Sequence, residues 1–79
     1  MKLIALNLPR DLSEQSLALI FEKIGDIKSC TLVIDKYTGI SKGFGFVEMS
    51  DGGENAIQAL NDAEVDGRKL VVNESRPRD

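Results

Sequence analysis

The chain has 79 residues, 42% of them hydrophobic, and a formal charge of −3, with no His, no Trp and a single Cys. A zinc site of about four Cys, His or carboxylate ligands has no Cys/His cluster to draw on, a His-dependent catalytic triad cannot be assembled, and one Cys cannot close an intrachain disulfide. The pI near 4.8 argues, at first sight, against nucleic acid.

The length predicts one domain over residues 1–79, with residues 73–79 as a candidate flexible tail. Lys2 to Leu6 is a short apolar run stopped by Asn7 and Pro9, which suits a strand. Ser13 then fits a helix N-cap, with Glu14 in the first turn and Leu12 and Leu17 at the two staple positions. Leu17, Ile20, Phe21 and Ile24 recur at helical spacing, and Gly25 supplies a stop. Ile27 to Ile34 is rich in β-branched residues and reads as a second strand, with Cys30, Leu32 and Ile34 on one parity.

Asp35-Lys36-Tyr37-Thr38-Gly39 carries turn chemistry, and Gly43 to Met49 reads as a third strand. Asp51 and Glu54, three apart, are spaced as a capping box for a second helix. Ala56, Ile57, Ala59, Leu60 and Ala63 give that helix its buried face, and Asn61-Asp62 ends it. Asp66-Gly67 is a turn signal, and Lys69 to Asn73 reads as the fourth strand. The order β-α-β-β-α-β predicts an α+β, ferredoxin-like split sandwich. Its four-stranded antiparallel sheet carries both helices on one face.

Alternation along the third strand then matters. Gly45, Val47 and Met49 share one parity; Phe44, Phe46 and Glu48 share the other. Val47 and Met49 suit the helix-covered core, which turns two neighbouring Phe rings toward water, the mark of a binding surface. Charge is also unevenly placed. Residues 1–6, 27–49 and 67–79, the strands with their loop and tail, balance at +4; residues 7–26 balance at −2 and residues 50–66 at −5. The Debye length at physiological salt is about 8 Å, so an acidic helix layer behind the sheet is largely screened from a strand bound in front. The acidic pI therefore does not exclude nucleic acid.

Lys42-Gly43-Phe44-Gly45-Phe46-Val47-Glu48-Met49 resembles the octapeptide of the RNA recognition motif family, departing only at Met49, where the pattern has an aromatic. Leu3-Ile4-Ala5-Leu6-Asn7-Leu8 resembles the companion hexapeptide, with Ile4 where an exposed aromatic is usual. The Asp-x-x-Thr-Gly-x-Ser-Lys-Gly loop and the Gly-Arg-Lys-Leu approach to the last strand are similar to the family too.

The resemblance implies a non-enzymatic module for single-stranded RNA, with single-stranded DNA as a second strand of like chemistry. It implies Phe46 stacking on a base, Phe44 packing on a base or between sugars, and Ile4 giving apolar contact without a π face. Lys42 is placed for phosphate, with Lys2, Arg76 and Arg78 as further phosphate contacts. Glu48 and Asn73 are placed for base edges. The alternative is a related module whose partner is protein, for which the acidic helices and Ile4 speak. Gly43-Phe44-Gly45 fails as a dinucleotide loop, because Glu48 holds the third glycine position. No cofactor, metal or membrane partner is expected. The expected state is a monomer, cytoplasmic in a bacterial-type cell, or nuclear in a eukaryote. Within the family the chain looks most like short single-domain bacterial proteins and the RNA-binding part of glycine-rich, cold-inducible ones.

Overall fold

The computed structural model describes residues 1–75. Strand β1 (Lys2–Leu6) is followed by α1 (Glu14–Glu22), β2 (Ile27–Ile34), β3 (Ser41–Met49), α2 (Gly53–Leu60), the two-residue strands β4 (Glu64–Val65) and β5 (Arg68–Lys69), and β6 (Val71–Glu74). The main sheet runs β2-β3-β1-β6, antiparallel at every step. This is the expected β-α-β-β-α-β order with a small hairpin added before the last strand.

Alternation sorts the two faces of the sheet. Leu3 and Ala5 of β1, Val47 and Met49 of β3, Leu32 of β2 and Val72 of β6 are buried. They pack with Leu17 and Phe21 of α1 and Ala56 of α2 in one apolar cluster. Both helices therefore cover the same face.

Helix α1 starts as its sequence dictates. The Ser16 N–H donates to Ser13 Oγ at 3.1 Å, satisfying one of the unpaired first-turn donors. Glu14 does more than favour the helix dipole. The β2–β3 pairing slips between Leu32 and Ile34, and the Leu32 N–H donates to Glu14 Oε2 at 3.0 Å. Strand β2 is an edge strand of the sheet, and one of its backbone donors is thus tied to α1. Ile34, expected in the core parity, is 49% exposed, although the slip of two residues leaves it paired with Ser41 on the helix-side parity at the end of the ladder.

Helix α2 corrects the sequence expectation. Its N-cap is Gly52, left-handed at φ +81°, with no side-chain cap from Asp51. The cause is backbone proximity. A Cβ on Gly25 would collide with the Asp51 carbonyl, and one on Gly52 would lie 3.0 Å from the Gly25 Cα. Close passage of the α1–β2 and β3–α2 connections takes the place of a capping box, and Gly25 is needed for that contact rather than for a left-handed stop. Ala59, expected in the buried face, is exposed, while Ile57 and Leu60 are half-buried.

The last strand begins at Val71, not Lys69. Residues 64–69 instead form a hairpin whose turn residues Asp66 and Gly67 both take positive φ, 50° and 81°, as a twist-matched two-residue turn requires. Strand β3 begins at Ser41, two residues before the expected Gly43.

Gly45 joins the two layers. A Cβ there would lie 2.6 Å from the Thr31 carbonyl oxygen and 3.1 Å from Leu17 Cδ2. Gly45→Ala is expected to cost about 1–3 kcal/mol of stability, as overpacking does. A denaturant melt reads this, and an unchanged midpoint would show that the β2 backbone at Thr31 and the Leu17 side chain can both shift aside.

Candidate nucleic-acid interface

The sheet face opposite the helices presents an ordered grid. Strand register lines up Thr31, Phe46, Ile4 and Asn73 across β2, β3, β1 and β6, and Ser29, Glu48 and Lys2 in the adjacent row. Val47 and Met49 are 0% and 1% exposed, and Phe44, Phe46 and Glu48 are half-buried on the other parity. The parity expectation holds. Phe44 and Phe46 meet edge to face, with ring centroids 6.3 Å apart and planes at 84°, a favoured aromatic geometry. Lys2 Nζ sits 5.2 Å from the Phe46 centroid, within cation–π range.

The ends of the grid are fixed by backbone. The Leu8 N–H donates to the Gly43 carbonyl at 2.8 Å, holding the loop after β1 against the start of β3 and its exposed Lys42. Asn7 takes positive φ and bridges to the β4–β5 hairpin: its Nδ2 donates to the Lys69 carbonyl at 2.8 Å, and Arg68 Nη1 donates to its Oδ1 at 3.2 Å. The Ser75 N–H donates to the Lys2 carbonyl at 2.7 Å, extending the β1–β6 pairing to the edge of the grid.

Of the residues singled out in the sequence, Lys2, Ile4, Phe46, Glu48 and Asn73 come together on this face. Phe44 adjoins Phe46, and Lys42 lies at the start of β3. Arg76 and Arg78 lie outside the described residues. Sequence reasoning missed Arg10. The loop after β1, held against β3 by the Leu8–Gly43 contact, brings it into a groove of about 530 Å³ with Lys42 and Phe44. In the β2–β3 loop, Asp35 Oδ1 accepts from the Tyr37 and Thr38 N–H groups at 2.8 and 3.2 Å. Tyr37 is left 86% exposed, with Lys36 Nζ 5.3 Å from its ring.

Cys30 is half-buried on the helix side, its thiol 3.8 Å from the Glu14 carbonyl. Burial pushes that thiol above its ordinary pKa, and the Glu14 and Glu22 carboxylates push it the same way, opposite to what an activated thiolate needs. Among the described residues, no group of three or more His, Cys, Asp or Glu is placed to hold a metal, and no helix is long and apolar enough to cross a membrane.

Known proteins share this arrangement. RNA-binding protein CP31B, chloroplastic, of Arabidopsis thaliana is 42% identical over 79 residues, covering 98% of this chain and 27% of that protein. RbpB of Nostoc sp. is 45% identical over 75 residues, covering 92% of this chain and 73% of its own length. The chain thus spans about a quarter of one relative and most of the other. The solved Sxl-lethal protein/RNA complex superposes with a TM-score of 0.90 at 34% identity, over 99% of this chain and 48% of that one. The family described as RNA recognition motif matches residues 6–71. With the sheet order, the two-helix backing and the paired Phe rings, that match places the chain in the RNA recognition motif family.

Proposed function

We propose that the open sheet face binds single-stranded RNA and that the chain acts as an adaptor on transcripts rather than as a catalyst. The observation that carries this is the pair of neighbouring Phe rings standing on a face that no helix covers. Unpaired bases have π faces, and base–aromatic stacking tolerates any sequence. Phe46 is the stacking platform, Phe44 packs on a base or between sugars, and Ile4 adds apolar contact in the same cross-strand row. Lys2 and Lys42 reach phosphates. Glu48 and Asn73 hydrogen-bond base edges, Asn73 at the end of the Phe46 row. Arg76 and Arg78 remain phosphate contacts proposed from sequence alone.

The solved protein/RNA complex with the same fold supports this reading. Relatives from a cyanobacterium and a chloroplast support a cytoplasmic or plastid setting. The reading extends to one domain over residues 1–79, monomeric, needing no metal or cofactor, and able to take single-stranded DNA on the same face.

An NMR titration with short oligoribonucleotides of varied sequence tests it. Amide shifts are expected for Lys2, Ile4, Phe44, Phe46 and Asn73, with the outer faces of α1 and α2 silent. Affinity is expected to fall with salt at a log–log slope of about −0.7 per phosphate contacted. Shifts confined to the helices, or a flat salt response, would turn the reading toward a protein partner.

A further inference from the structure

We infer that the groove between the β1–α1 loop and the β2–β3 loop is a further nucleotide subsite, in which Arg10 takes a phosphate of the same RNA strand that lies on the sheet. The inference rests on the RNA-binding reading and extends it past the sheet edge. Three observations carry it.

The first is continuity. Phe44 touches Phe46 on the open face and also lines the groove, so a strand that passes from Phe46 over Phe44 runs into it. The second is size and chemistry. At about 530 Å³ the groove lies within the usual range of ligand sites. Two cations, Arg10 and Lys42, line it against one acid, Asp35, whose Oδ1 already accepts two backbone N–H groups of its own loop. The Thr38 and Ser41 hydroxyls each accept a backbone N–H, from Ile40 at 3.3 Å and Gly43 at 3.0 Å, and so keep their protons to donate.

The third is anchorage. Leu8 is fully buried and bonded to Gly43, and the Leu12 N–H closes a turn on the Pro9 carbonyl at 3.1 Å. The backbone on both sides of Arg10 is therefore held, and its guanidinium fork is the side chain suited to phosphate oxygens. Arg10 is also one of only two bases in the otherwise acidic stretch 7–26. It lines the groove that adjoins Phe44 and so borders the proposed RNA path.

Arg10→Ala and Phe46→Ala are compared with the unaltered chain on oligouridylates of about four and about eight nucleotides, near the lower range of single-strand site sizes. Arg10 is exposed, so its loss leaves the fold intact. The longer strand is expected to bind the unaltered chain more tightly than the shorter. Arg10→Ala is expected to remove about threefold to fivefold of that gain, to lower the salt slope on the longer strand by about 0.7, and to leave the shorter strand unaffected. Arg10→Lys is expected to restore the slope. If Phe46→Ala weakens both strands while Arg10→Ala changes neither, or changes both equally, the subsite is overturned and the sheet reading stands. If neither strand binds, or Phe46→Ala has no effect, both fall.

Discussion

Phe46→Ala is expected to weaken binding to a short unstructured RNA by about 1–3 kcal/mol, the range found when a stacking aromatic is removed. Phe46 faces Ile4 on one neighbouring strand and Thr31 on the other, and neither offers a π face to replace it. Phe44 stands edge-on to it with its ring centroid 6.3 Å away, so it does not cover the same position on the sheet. The fold is expected to survive, because Val47 and Met49 point to the opposite face and stay buried. Loss of the aromatic pair removes about 0.5–1.5 kcal/mol of stability. Fluorescence anisotropy reads the affinity and a thermal melt checks the fold. Affinity unchanged in a folded variant would take the stacking role away from Phe46.

The second large effect lies behind the sheet. Phe21→Ala is expected to cost about 3–5 kcal/mol, the usual penalty for truncating a buried Phe. Phe21 is 0% exposed and heads the fully buried side chains by volume. At roughly 0.05–0.15 kcal/mol per residue, a chain of this length has a total stability of about 4–12 kcal/mol. One substitution thus consumes much of it, and each kcal/mol lowers the Tm of so small a domain by about 4–8 °C. RNA affinity is expected to fall only with the folded fraction and to recover on cooling, unlike Phe46→Ala, which lowers it at every temperature. A loss of under about 1 kcal/mol in a denaturant melt would show that α1 does not anchor the core.

The strand-to-helix order and the placement of Phe44 and Phe46 on the face opposite the helices were legible because they follow from period alone: two for β3, near 3.6 for α1. The Ser13 cap was legible because it is a contact between residues three apart. What escaped depends on distant chain. The α2 start is governed by Gly25, far away in sequence, whose backbone presses on Asp51 and Gly52. Asp51-x-x-Glu54 had the spacing of a capping box and lost to that contact. Ile34 keeps the parity of Cys30 and Leu32 and pairs with Ser41, yet it lies at the end of the β2–β3 ladder and is exposed, which alternation alone does not show. Asp66-Gly67 announced its turn correctly, yet the flanking strands are two residues each, too short for any alternation to show. Arg10 sat in a stretch whose charge reads as acidic, and only the fold reveals which wall it occupies.

Lys2 above the Phe46 ring has a consequence for how affinity divides among residues. Without RNA the platform is not bare: a cation that phosphate would attract rests on the ring a base would cover. In the proposed binding mode an arriving base would take that place and free the ammonium to turn to the strand's own backbone. Stacking and ion contact are then two halves of one exchange, and the energies measured for Lys2 and Phe46 singly will not sum to the energy of the pair.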